Sequence, residues 1–153
     1  MRPLPVAQCL GLIHQFEGEA GQPRLCPARD PAGNWEIGWG HKLPNANHPA
    51  ITAAEADQLA LADLGEAALC VCNVLGGRVN TLTDNQYAAL IDFTFNEGGH
   101  AFAGSTLAAK VAKGDRSAAD EFAAWVFAHV NGKAVQLPGL IRRRAAEKAL
   151  FLT

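Results

Sequence analysis

The stretch on which the reading turns is Asp30-Pro31-Ala32-Gly33-Asn34-Trp35-Glu36-Ile37-Gly38-Trp39-Gly40-His41. Asp30 opens a tight turn, Pro31 presets its φ, and Gly33 relieves strain late in it. Beyond the turn, Trp35, Ile37 and Trp39 alternate with Glu36, Gly38 and Gly40. That alternation puts the large apolar side chains on one face of a strand. The other face holds a carboxylate beside two glycines, and glycine within a strand marks close approach of a ligand or another backbone. A floor of this kind suits a flat, neutral, hydroxyl-rich molecule such as a sugar chain. If residue 30 pairs with 34 and 28 with 36, Asp30 and Glu36 share a face.

Upstream, Val6, Leu10, Ile13 and Glu17 recur at helical spacing, with Cys9 and Phe16 beside them. This is an amphipathic helix whose apolar line ends in a carboxylate. Downstream, Thr52 with Glu55 and Thr83 with Gln86 form two capping boxes. The first starts an Ala/Leu-rich helix that runs to about Leu75 and stops at Gly76-Gly77. The second starts a helix with an apolar stripe of Tyr87, Leu90, Ile91, Thr94 and Phe95, ending at Gly98-Gly99. Shorter helices are expected over Ser105 to Lys113, closed by Gly114, and over Ser117 to about His129. A loop through Asn131 to Gly139 then precedes a last helix from Leu140 to Phe151. The fold class is α+β and mainly helical. One domain spans 1–153, with a hairpin region at about 23–43 packed on a helical lobe at about 52–153.

Nearly half of the 153 residues are apolar and less than a fifth are charged, which excludes a disordered chain. No stretch approaches the ~18 apolar residues of a membrane helix, and the N-terminus has no convincing signal peptide. Synthesis in the cytoplasm without a membrane anchor is the expectation. Cys9, Cys26, Cys70 and Cys72 lack zinc-type spacing and read as free thiols. The net charge of −2 is too small for a nucleic-acid binder. It conceals an asymmetry: residues 1–100 carry 5 basic and 11 acidic side chains, and residues 101–153 carry 8 basic and 4 acidic.

Several blocks in order resemble the phage lysozymes, the muramidase endolysins of glycoside hydrolase family twenty-four. Phe16-Glu17-Gly18 looks like the catalytic-glutamate motif, and Asp30 through His41 like the family hairpin. Leu82-Thr83-Asp84-Asn85-Gln86 through Phe95-Asn96-Glu97-Gly98 resembles the central helix. Leu137-Pro138-Gly139-Leu140-Ile141-Arg142-Arg143-Arg144 with Glu147 resembles the C-terminal signature. Two departures stand out. Twelve residues separate Glu17 from Asp30, about four more than is usual, so a count from Glu17 alone would land on Cys26. Glu36 stands where the family has a threonine thought to position the attacking water.

The resemblance implies a lysozyme-like fold and cleavage of the β-1,4 bond between N-acetylmuramic acid and N-acetylglucosamine in peptidoglycan. Such cleavage needs a proton donor and a second group that activates water or attacks the sugar. Glu17, at the end of an apolar helix face, fits the donor. Asp30 and Glu36 are the candidates for the second role, although Asp30 also reads as a turn-maker and Glu36 as an exposed strand charge. Gly38, Gly40, Asn96, Arg142 and Arg143 are candidates for binding the substrate. Asn96 reads equally as a helix-end cap, and His41 as a structural histidine near the site. The family pairs its glutamate with a C-terminal arginine, for which Arg142, Arg143 and Arg144 all qualify. No cofactor or metal is implied. The expected partner is peptidoglycan, met by a monomer that reaches the wall after a holin opens the inner membrane. A lytic transglycosylase and a catalytically silent wall-binding domain are the alternatives.

Overall fold

The computed structural model describes residues 2–30, 32–130 and 132–153. Pro31 of the turn and Asn131 of the later loop lie outside them. Helix α1 (Val6–Phe16) buries Cys9, Leu12 and Ile13 and stops at Glu17, whose backbone is already extended while its N–H still bonds Ile13 O. The additional residues before the sheet form a small closed turn. Glu19 and Gln22 exchange backbone hydrogen bonds of 2.9 and 3.0 Å, and Ala20 and Gly21 between them both have positive φ. That is the geometry of a two-residue hairpin turn. Gly18 admits no side chain, because a methyl group there would lie 2.3 Å from Gln22 O.

Strands β1 (Arg24–Arg29), β2 (Trp35–Gly38) and β3 (His41–Leu43) form an antiparallel sheet in chain order. Ala28 pairs with Glu36, and Asp30 N donates to Asn34 O at 2.8 Å, as the alternation predicts. Ile37 and Trp39 are buried. The Trp39 indole donates to Asp57 Oδ1 at 2.7 Å and stacks on His14, which ties the sheet to α1 and to the next helix.

That helix, α2 (Ala53–Leu75), starts at the Thr52–Glu55 capping box, with both reciprocal bonds formed. Thr52→Ala removes the side-chain acceptor from a helix end, so it should cost about 0.5–2 kcal/mol, read as a lower midpoint in urea. The stretch Ala53–Thr81 is long and apolar enough to cross a membrane by length and composition, with a hydropathy of 1.6. This corrects the expectation that no segment comes near that measure. Polar residues such as Asp57 and Asp63 interrupt the run without breaking its Ala/Leu average. Its buried side, including Ala56, Ala60, Leu64 and Val71, belongs to the hydrophobic core.

Helix α3 (Asp84–Glu97) runs through the centre of the core, buried continuously from Tyr87 to Thr94 and capped by Thr83 and Gln86. After α4 (Gly99–Ala103), α5 (Thr106–Lys113) is capped by the Ser105 hydroxyl and closed by Gly114 in the left-handed region. The helix expected from Ser117 to about His129 is not formed. A 3-10 stretch, Arg116–Ala124, gives way to the antiparallel pair β4 (Phe127–Val130) and β5 (Lys133–Gln136). Aromatic and β-branched residues on either side of Asn131-Gly132 are a hairpin signal, which the neighbouring alanines obscure. Within the expected loop at 131–139, Lys133–Gln136 is therefore strand and 138–139 already belong to the next helix. Helix α6 (Pro138–Phe151) begins two residues before the expected Leu140, with proline in its first turn. It buries Arg143, Arg144, Glu147 and Phe151 and packs along α3. The fold is α+β, mainly helical, with the small sheet near the helix-end glutamate.

Candidate active site

A cleft of about 760 Å³ opens between the sheet and the helices, lined among others by Glu17, Glu36, Gly40, His41, Lys42 and Asn96. Glu17 reaches it because α1 ends one residue earlier and the chain turns away extended. Its side chain is 22% exposed. Burial pushes its carboxyl above the usual carboxylate range; Arg143 acts against this, and the charges of Asp92 and Glu36 add to it. Arg143 is the arginine that pairs with Glu17, through Nη1. Its own place is fixed from behind by Asp92, which accepts from Nη2 at 2.8 Å and from Nε at 2.9 Å. Asp92 is fully buried on α3. An acid on the apolar stretch Tyr87–Thr94 was a legible sign of a buried ion pair that the sequence analysis passed over.

Glu36 and Glu17 both line the cleft, and both approach Gly40. A methyl group at Gly40 would be 3.8 Å from Glu17 Oε2 and 4.0 Å from Glu36 Oε2. The two oxygens therefore lie within ~8 Å of each other, the scale of paired glycosidase carboxylates. Glu36 is held by Arg24, through Nη1, and by Lys42 Nζ at 3.2 Å. Neither cation was among the sequence candidates. Both face Glu36 through the sheet: Lys42 is its register partner on β3, and Arg24 lies at the start of β1.

Asp30 is not among the residues lining this cleft. Its carboxylate accepts from Lys42 Nζ at 2.6 Å and from Asn34 N at 2.8 Å. These hydrogen bonds, Lys42 foremost, hold its carboxyl well below the usual range. Asp30 thus reaches the site through the lysine it shares with Glu36. Gly38 does not face the cleft: it is buried against α2, where a methyl group would meet Ala56 Cβ at 3.3 Å. Its bare backbone accommodates a helix where the sequence analysis expected a sugar.

His41 lines the cleft, and its Nδ1 bonds the Asp63 carboxylate at 2.9 Å. Asn96, in the last turn of α3, accepts from Arg144 Nη2 at 2.8 Å. Glu17 and Asn96 also border a second groove of about 590 Å³, lined by Leu137, Pro138, Gly139, Arg142 and Arg143. Arg142 is exposed there, whereas Arg143 is 4% exposed and faces inward. Open space therefore lies on both sides of Glu17. All four cysteines are free, and Cys26, exposed on β1, does not line the cleft.

Gly40→Ala should lower wall lysis at least ~10-fold. It places a methyl group about 4 Å from an oxygen of each carboxylate and adds about 1–2 kcal/mol of strain at a positive φ. A turbidity assay on isolated walls, beside a thermal melt, separates the two effects.

The chain is similar to known proteins over nearly its whole length. Residues 14–147 match the family model described as Phage lysozyme. The endolysin of Acyrthosiphon pisum secondary endosymbiont phage 1 is 41% identical over 144 residues, covering 93% of this chain and 93% of that protein. The SAR-endolysin of Escherichia phage Mu is 36% identical over 126 residues, 82% of this chain and 70% of that protein. Among solved structures, the muramidase domain of SpmX from Asticaccaulis excentricus superposes with a TM-score of 0.86 at 37% identity, covering 100% of this chain and 99% of that one. The chain belongs to the phage lysozyme family.

Proposed function

We propose that the protein is a muramidase that cleaves the β-1,4 bond between N-acetylmuramic acid and N-acetylglucosamine, with Glu17 as general acid and Glu36 as the base that activates water. Family membership supports the coarser statement, a glycosidase acting on peptidoglycan. The observation that supports the finer one is that Glu17 and Glu36 line one cleft and both approach Gly40, within ~8 Å of each other.

A half-buried carboxyl whose burial favours the protonated form is suited to protonate the leaving oxygen. On the far side, a carboxylate between Arg24 and Lys42 can take a proton from water while the sugar departs. Glu36 as base requires a water between it and the anomeric carbon, which gives inversion. Asp30 acts through Lys42, whose ammonium it shares with Glu36. The two grooves that meet at Glu17 leave room for sugars on both sides of the broken bond. Arg142 and Asn96 face the second of these. The protein works as a monomer, without metal or cofactor. It is made in the cytoplasm and reaches the wall when a separate partner such as a holin opens the membrane.

The test is product analysis on purified peptidoglycan. Hydrolysis yields muramic acid at a new reducing end, which borohydride converts to its alditol. A 1,6-anhydro end would show a lytic transglycosylase instead. Binding to walls without release of fragments would show a wall-binding module.

A further inference from the structure

Behind Arg143 lies a buried ionic cluster with more acids than bases. Glu17, Asp92, Glu97 and Glu147 meet two guanidinium groups, Arg143 and Arg144. Glu147 on α6 and Asp92 on α3 are both 0% exposed. Glu147 Oε1 accepts from Arg144 Nη2 at 2.6 Å, and Arg143 Nε is 3.7 Å away. Glu147 Oε2 is buried and meets no donor among the described residues, and its carboxyl converges with that of Asp92 on Arg143 Nε, 3.7 Å from Glu147 Oε1 and 2.9 Å from Asp92 Oδ2. Two neighbouring carboxylates away from water cannot both carry a charge cheaply. Asp92 has both oxygens committed to Arg143 as an anion. Arg144 has a second anionic partner in Glu97, at 2.8 Å, and so does not require a charge on Glu147.

We propose that Glu147 is a positioning residue: a neutral carboxylic acid that donates a hydrogen bond to Asp92 and so fixes, through Asp92 and Arg143, where Glu17 stands. The unpartnered oxygen is then accounted for, while Arg144 Nε remains a buried donor without a partner among the described residues. Oε1 accepts from Arg144, the proton on Oε2 satisfies the one buried oxygen without a partner, and Asp92 stays ionised to clamp Arg143. With Glu17 also protonated, two anions balance two cations. Burial and the Asp92 charge both push Glu147 upward, against the pull of Arg144 and Arg143. On α1, burial and the Asp92 charge push the Cys9 thiol up to about 12, so it stays neutral and adds no charge to the cluster. Two negative charges here would draw Arg143 away from Glu17.

The first test uses the whole protein with ¹³C-labelled glutamate side chains. The Glu147 Cδ resonance, assigned by its loss in Glu147→Gln, should sit at the carboxylic-acid position at neutral pH. A carboxylate position would overturn the proposal. The second test is kinetic and rests on the reading of Glu17 as the acid. Glu147→Ala should lower turnover by about 10²-fold through misplacement of Arg143. Glu147→Gln, whose amide can donate to Asp92, should recover most of that loss. Asp92→Asn should move the upper limb of the pH–activity profile to lower pH, because the Asp92 charge raises Glu17. Equal impairment in Glu147→Gln and Glu147→Ala would overturn the proposal. If Glu17→Gln lyses walls normally, the acid assignment falls, while the resonance still reports on Glu147.

Discussion

Glu17→Gln is expected to lower wall lysis by about 10²–10⁴-fold while the protein stays folded. Glutamine fills the same space and its carbonyl still accepts from Arg143, but it has no proton to give the glycosidic oxygen. The pH dependence follows from the raised carboxyl. Glu17 is the acid form below its folded pKa, so activity falls as pH rises through that value. Stability has the same sign. A carboxyl that holds its proton more tightly folded than unfolded contributes fully below its unfolded pKa, and the contribution is lost as pH rises through the folded one. Glu17→Gln, uncharged throughout, should therefore remove that loss on the alkaline side. The measurements are a turbidity assay on isolated walls across pH and thermal melts at the same pH values. Near wild-type lysis by a folded Glu17→Gln protein would remove Glu17 from the acid role.

Glu36→Gln should cost turnover on a similar scale, about 10²-fold or more, with binding to insoluble walls retained. Glutamine occupies the same place beside Gly40 but cannot take a proton from water. It also leaves Arg24 and Lys42 without their shared anion, so circular dichroism must accompany the assay. Glu36→Thr should keep part of the activity, since it restores the residue that the hairpin motif usually carries. A second arm is stereochemical. A base acting on water inverts the anomeric carbon, whereas direct attack by Glu36 retains it. The anomer formed first, followed by proton NMR on a soluble oligosaccharide, decides between them. Wild-type lysis by Glu36→Gln would make Glu36 a bystander.

Much of the site was legible because local rules govern it. The alternation placed Ile37 and Trp39 inside but not Gly38, which is buried too, and two capping boxes fixed where α2 and α3 begin. Glu17 was readable as the last residue on a helical stripe. What escaped depends on residues distant in sequence. Arg143 meets Glu17 across 126 positions, and among three consecutive arginines nothing local says which turns inward. Helical geometry separates them: Arg142 is exposed, while Arg143 and Arg144 are buried. Gly38 was misread for a related reason. A bare glycine signals close approach, and sequence alone does not say whether a ligand or a helix approaches. The β4–β5 pair was missed because alanine-rich residues 117–124 favour helix, and only the tertiary context reduces them to a short 3-10 stretch.

The pairing of Glu17 with Arg143 also bears on when the protein becomes dangerous to its maker. Glu17 is translated 126 positions before the guanidinium that holds it, which arrives on α6, as does Phe151, which packs on Phe122. A chain interrupted before Pro138 would carry the whole sheet and the acid, yet lack the side chain that aims it. If Glu17 is the acid, competence to cut therefore waits until Arg143 has been made and α6 has docked.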